Sequence, residues 1–105
     1  MALSFVASTK CDAWLRRELS ALSAVSAAYI FGSALLVEQP NDVDLCIVTD
    51  VVIGTNAWKR IRFYRNSLSY TFKAVFGVRL SVMIITRREW KEIDGVIVRE
   101  RHALI

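Results

Sequence analysis

The chain has 105 residues, room for one domain. It is 54% apolar and 23% charged, which excludes a disordered or low-complexity polypeptide. Its net charge of +4, from 14 basic and 10 acidic residues, permits an anionic partner without requiring one. Two cysteines, Cys11 and Cys46, lie far apart and outside any Cys-x-x-Cys spacing. They indicate neither a metal knuckle nor a disulfide framework, and they point to a reduced, cytoplasmic setting.

Met1 to Thr9 has no basic residue ahead of its apolar part and does not read as a signal peptide. About Thr9 to Ala27 reads as a helix, with Leu15, Leu19, Leu22 and Val25 on one apolar face and Ser8 or Thr9 as its cap. The 17 residues from Ala21 to Val37 carry no charge. Four hydroxyl-bearing residues and a central Gly-Ser break make them a buried helix end running into a buried strand, not a membrane span.

Ala28 to Phe31 is that strand, stopped by Gly32, and Ser33 to Leu36 suits one helical turn. Gln39-Pro40-Asn41 is a turn. Val43 to Thr49 is a strand in which Asp42, Asp44 and Cys46 alternate with Val43, Leu45 and Ile47. A long helix spans about Thr55 to Phe76, capped by Thr55 or Asn56 and stopped by Gly77. Its Lys59, Arg60, Arg62, Arg65 and Lys73 give it a basic face. Of its interleaved aromatics, Trp58, Phe63, Tyr64, Tyr70, Phe72 and Phe76, helical spacing puts most in the core. Val78 to Thr86 is a third strand, a short helix starts near Arg87, and about His102 to Ile105 forms a small fourth strand. Trp14, Tyr29 and Phe31 read as packing residues, Cys46 as a buried filler and His102 as a surface residue.

The segment that carries chemistry is Phe31-Gly32-Ser33, a spacer of eight residues, then Asp42-Val43-Asp44-Leu45. Carboxylates at i and i+2 of a strand share a face. Two like charges side by side on an apolar strand are costly unless something positive joins them, and Mg²⁺ is the natural candidate because it is hard and shares its shell with phosphates. Gly32 lets the backbone turn and a ligand approach. The Ser33 hydroxyl and the N-terminus of the helix behind it offer donors to a phosphate.

These residues resemble the nucleotidyltransferase superfamily, whose fingerprint is hydrophobic-Gly-[Gly/Ser], a spacer, then Asp-hydrophobic-[Asp/Glu]-hydrophobic. They are similar in particular to the minimal single-domain members and to the catalytic domain of the aminoglycoside-type enzymes. The match covers about Ala27 to Asp50, and the order of the flanking elements agrees. Thr86, Glu89 and Trp90 also look like a Thr-x-x-Glu-Trp ending found in some members. The order of the elements gives an α/β sandwich, with a small mixed sheet and helices packed on it, as one nucleotidyltransferase-like domain over residues 1–105. The resemblance implies that Gly32 and Ser33 hold the triphosphate of ATP or another nucleoside triphosphate. It implies that Asp42 and Asp44 are the catalytic, metal-binding carboxylates, with two Mg²⁺ ions in an active site.

One departure stands out. The family's third carboxylate belongs on the next core strand, yet Val78 to Thr86 contains no Asp or Glu. By alternation Arg79 or Ser81 takes its place, and Glu89 lies past the strand end. Three readings follow. The first is an Mg-dependent enzyme moving a nucleoside monophosphate to a hydroxyl on a protein, an RNA or a small molecule. The second is a degenerate module that binds a nucleotide or a partner protein without turnover, of the kind paired with a small helical protein in toxin–antitoxin systems. The third is an interaction domain with neither ligand. A short chain with an apolar excess also leads to expecting a homodimer or partner protein with an exposed apolar patch, and no membrane association.

Overall fold

The computed structural model describes residues 3–94 and 101–105. Two short helices open the chain, α1 (Phe5–Thr9) and α2 (Cys11–Ser20), where the sequence leads to expecting one helix to Ala27. The break is at Lys10, in left-handed backbone (φ 55°). Just before it, the Thr9 hydroxyl donates to the Phe5 carbonyl (2.7 Å) and accepts from the Cys11 amide (3.3 Å). Such side-chain bonds compete with the helix ladder. The cap of α1 is Ser4, not Ser8 or Thr9.

Strand β1 (Val25–Phe31) begins three residues earlier than its apolar run suggests. Thr49 explains the difference: it pairs with Val25, and its buried hydroxyl donates to the Ala24 carbonyl at 2.6 Å, which fixes the start of the strand. A 3-10 turn (Ser33–Leu35) leads to β2 (Asp42–Thr49), and α3 (Asn56–Phe76) connects it to β3 (Arg79–Thr86). Thr55 caps α3 by accepting from the Trp58 amide, and Gly77 ends it at φ 75°. Helix α4 (Arg87–Ile93) and strand β4 (Arg101–Ala103) complete the described chain.

The strands lie in the order β3-β2-β1-β4. β2 and β3 are parallel, as a helical crossover requires, and the other pairs are antiparallel, so the sheet is small and mixed. The molecule is thus an α/β fold with a four-stranded mixed sheet and helices packed on it. One face of the sheet, including Ile30, Val43, Leu45, Ile47 and Leu80, packs against Phe5, Leu15, Leu19, Ile61, Leu68 and Phe72 of α1, α2 and α3. On the other face Trp90 of α4 packs with Cys46, Val48 and Ile85, and its ring stacks on Tyr29 at 4.6 Å. The guanidinium of Arg101 lies over both rings and bonds Asp94, tying β4 to α4. No helix among the described residues is long and apolar enough to cross a membrane.

The aromatics of α3 divide. Phe72 is buried and Trp58, Tyr64 and Phe76 pack around the core, whereas Phe63 and Tyr70 are 77% and 81% exposed. Loops also expose apolar side chains, at Leu36 and Val37 after the 3-10 turn and at Val52 and Ile53 before α3.

This division is measurable. Phe72→Ala should cost about 3–5 kcal/mol in urea unfolding, and Phe63→Ala should stay within about 0.5 kcal/mol of the parent. Equal losses would contradict the facing of α3.

Candidate functional site

The C-terminal end of β1 and the N-terminal ends of β2 and β3 meet at one end of the sheet. Gly32 sits there at φ 81°, ψ −158°, a region that is essentially reserved for glycine. A Cβ built on Gly32 would lie 2.5 Å from Oδ2 of Asp44. Glycine is therefore required twice, by its own backbone and by the carboxylate packed against it.

The register gathers the other candidates. Asp44 pairs with Phe31 on one side and Ser81 on the other, and Asp42 pairs with Arg79. Residues paired this way share a face, so Asp42, Asp44, Arg79 and Ser81 emerge together. Trp90 covers that face toward Val48 and Ile85, and the two aspartates are half-buried at its other end. Among the described residues neither carboxylate accepts a hydrogen bond or meets a cation in an ion pair. Partial burial raises the pKa of Asp44 above the ordinary aspartate value, and the neighbouring charge of Asp42 adds to this.

On β3, Ser81 lies beside Asp44 and the exposed Arg79 beside Asp42. Glu89 is at the opposite end of β3, where it accepts from the Thr86 amide and hydroxyl (3.0 Å each) while its own amide bonds the Thr86 hydroxyl. Thr86 and Glu89 are thus a capping box and Trp90 a packing residue, which accounts for all three by structure alone. No group of three His, Cys, Asp or Glu side chains able to hold a metal ion occurs among the described residues. Asp42 and Asp44 are the two carboxylates that share this strand face.

Ser33 is exposed at the start of the 3-10 turn. Here the helix N-terminus expected from the sequence is corrected: three residues build no macrodipole. What remains is the Ser33 hydroxyl and the first amides of the turn, which have no partner inside it. Cys46 follows the aspartates on the same face, and burial pushes its thiol up to about 11, so it is a filler and no nucleophile. Neither cysteine is in a disulfide. His102 pairs with Ile30 in β4, and its Nε2 lies 3.0 Å from Asp12 of α2, on the face away from the carboxylates. Sequence reasoning did not find the stacked Tyr29, Trp90 and Arg101 beside the site. Alternation along β1, which places Tyr29 and Phe31 on the Asp44 face, is the signal that leads to the first of them.

Two outcomes test this geometry. Because the fold disfavours ionised Asp44, stability should fall as pH rises from the ordinary aspartate range through the raised pKa of Asp44. Asp44→Asn removes that penalty, and its melting temperature at pH 7.5 should exceed the parent's by about 2–4 °C. The advantage should vanish in acid, where Asp44 is neutral. Gly32→Ala should cost about 1–3 kcal/mol. Part of that loss should return in the Gly32→Ala, Asp44→Ala double variant, whose new Cβ meets no carboxylate, whereas strictly additive losses would deny the contact.

No family model matches the chain, and neither a curated protein nor a solved structure matches it.

Proposed function

We propose that this is a nucleotidyltransferase-like domain, which binds a Mg-nucleoside triphosphate and transfers a nucleoside monophosphate to an acceptor hydroxyl. The observation that carries the reading is the contact of Gly32 with Asp44, beside a second aspartate on the same strand face, with no cation or hydrogen-bond donor on either among the described residues. Paired carboxylates in that state fit a hard divalent cation, which takes one or two carboxylates and leaves its other positions to water and phosphate. When bound, Mg²⁺ polarises the phosphate and acidifies the attacking hydroxyl.

Each residue then has a task. Asp42 and Asp44 would hold the ion. Gly32, lacking a side chain, lets the phosphate chain come close to the backbone. Ser33 donates its hydroxyl and amide to phosphate oxygens. Arg79, beside Asp42, supplies a cation at the same strand end. Ser81 offers a neutral hydroxyl and cannot take the acceptor's proton at neutral pH.

That last point favours a second reading, in which the domain holds the Mg-nucleotide without turnover, alone or with a partner protein or second copy against it. Titration calorimetry with Mg-ATP and a pyrophosphate-release assay separate the two. Both readings expect saturable Mg-ATP binding, weakened roughly ten- to a hundredfold by Asp44→Asn. The first expects pyrophosphate release with an acceptor present. The second expects none from the parent, and release gained by Ser81→Asp. Absence of Mg-ATP binding would refute both.

A further inference from the structure

The net charge of +4 hides a strong segregation. From Val51 to Arg88 there are eight basic side chains and no acidic one, leaving six basic and ten acidic residues elsewhere. That basic segment contains α3 and β3. Among the described residues β3 is an edge strand that pairs only with β2. Between this edge and α3 lies an open groove of about 460 Å³.

Three cations line the groove, Arg65, Lys73 and Arg79, together with the amide of Asn66 and the hydroxyls of Ser69 and Tyr70. None of the three cations is in an ion pair among the described residues. The three pairs found there, Arg87–Asp50, Arg101–Asp94 and His102–Asp12, lie elsewhere. Tyr70 is 81% exposed, and the equally exposed Phe63 is seven residues before it on the same side of α3, about 10 Å away along the axis. Two large aromatic rings facing water within a basic stripe gain nothing for the fold.

We propose that the α3–β3 groove binds single-stranded nucleic acid. The three cations and the polar donors would track phosphates, and Tyr70 and Phe63 would give bases a flat surface to stack on. Unpaired cations in a groove with aromatic platforms are the equipment of such sites. A second copy docked groove to groove would set the same cations against one another. Ser81 lines the groove and neighbours Asp44, so a bound strand would run toward the carboxylates. The groove shares Arg79 and Ser81 with the proposed transfer site but uses neither aspartate, so strand binding there requires no nucleotidyl transfer.

The test is fluorescence anisotropy of a labelled 12-nucleotide oligouridylate with the full chain, without magnesium or nucleotide, from 50 to 200 mM NaCl. Its outcome is therefore separate from that of the transfer assay. Binding should weaken with salt at a log–log slope of about −2, as three phosphate contacts on a single strand give. Arg65→Ala and Lys73→Ala should each reduce that slope by about 0.7. Tyr70→Ala should weaken binding roughly fivefold or more with the slope retained. Lys73 and Tyr70 are exposed and Arg65 is half-buried, and circular dichroism should report the parent fold for all three variants. Three results would overturn the proposal. One is no binding at 50 mM NaCl. Another is binding indifferent to all three substitutions. The third is heparin or polyglutamate bound at least as tightly with Tyr70→Ala without effect, which would mark a general polyanion surface.

Discussion

Two aspartates stand on one face of β2, and the backbone of Gly32 is pressed against one of them. The rest of the site depends on this contact. It holds only if β1 ends where it does, with Phe31 in register with Asp44, and if the chain turns at once through a conformation that glycine alone tolerates. The register in turn rests on the buried faces of both strands. Ile30, Leu45 and Ile47 pack on one side against α2 and α3, and a slip of one residue would drive Asp42 and Asp44 into that core. The hydrophobic interior thus positions two charges that the fold itself does not use.

Those charges are kept at a cost. Asp44 is raised above the ordinary aspartate value by partial burial and by Asp42, and among the described residues nothing positive offsets it. Groups whose environment works against their charge tend to cluster at functional sites. Eight of the fourteen basic side chains lie instead between Val51 and Arg88, a stretch of 38 residues without an acid that holds α3 and β3, and α4 and Arg101 clamp the far half of the carboxylate face. The result is a sheet end with an anionic pair, flanked at Arg79 by a basic groove.

Much of this was legible in the sequence, because it follows from short-range rules. The alternation of Asp42 and Asp44 with Val43 and Leu45, the glycine stop after Phe31, and the Thr55 and Gly77 boundaries of α3 all depend on neighbours within a few residues. So does the alternation along β3 that separates Arg79 and Ser81 from Leu80 and Val82; the parallel register pairs the first two with Asp42 and Asp44. Other features were not legible because distant or competing contacts decide them. The break at Lys10 turns on one threonine hydroxyl, and the early start of β1 on Thr49, far along the chain. Phe63 and Tyr70 resemble Phe72 in residue type, and it is their place on the helix face opposite the buried Ile61, Leu68 and Phe72 that exposes them. The 3-10 turn after Gly32 was expected to offer a helix terminus, but the chain has only three helical residues before Leu36. The contact of Gly32 with Asp44 is invisible to any local rule, although the two motifs it joins are plain.

The most direct measurement is a carbon-detected NMR titration of the Asp42 and Asp44 carboxyl groups, with and without magnesium. Asp44 should titrate above an ordinary aspartate in the free protein, because burial and Asp42 oppose its charge, and magnesium should lower that midpoint markedly by taking the ionised form. An Asp44 that titrates as an ordinary surface aspartate, unmoved by millimolar magnesium, would contradict the account.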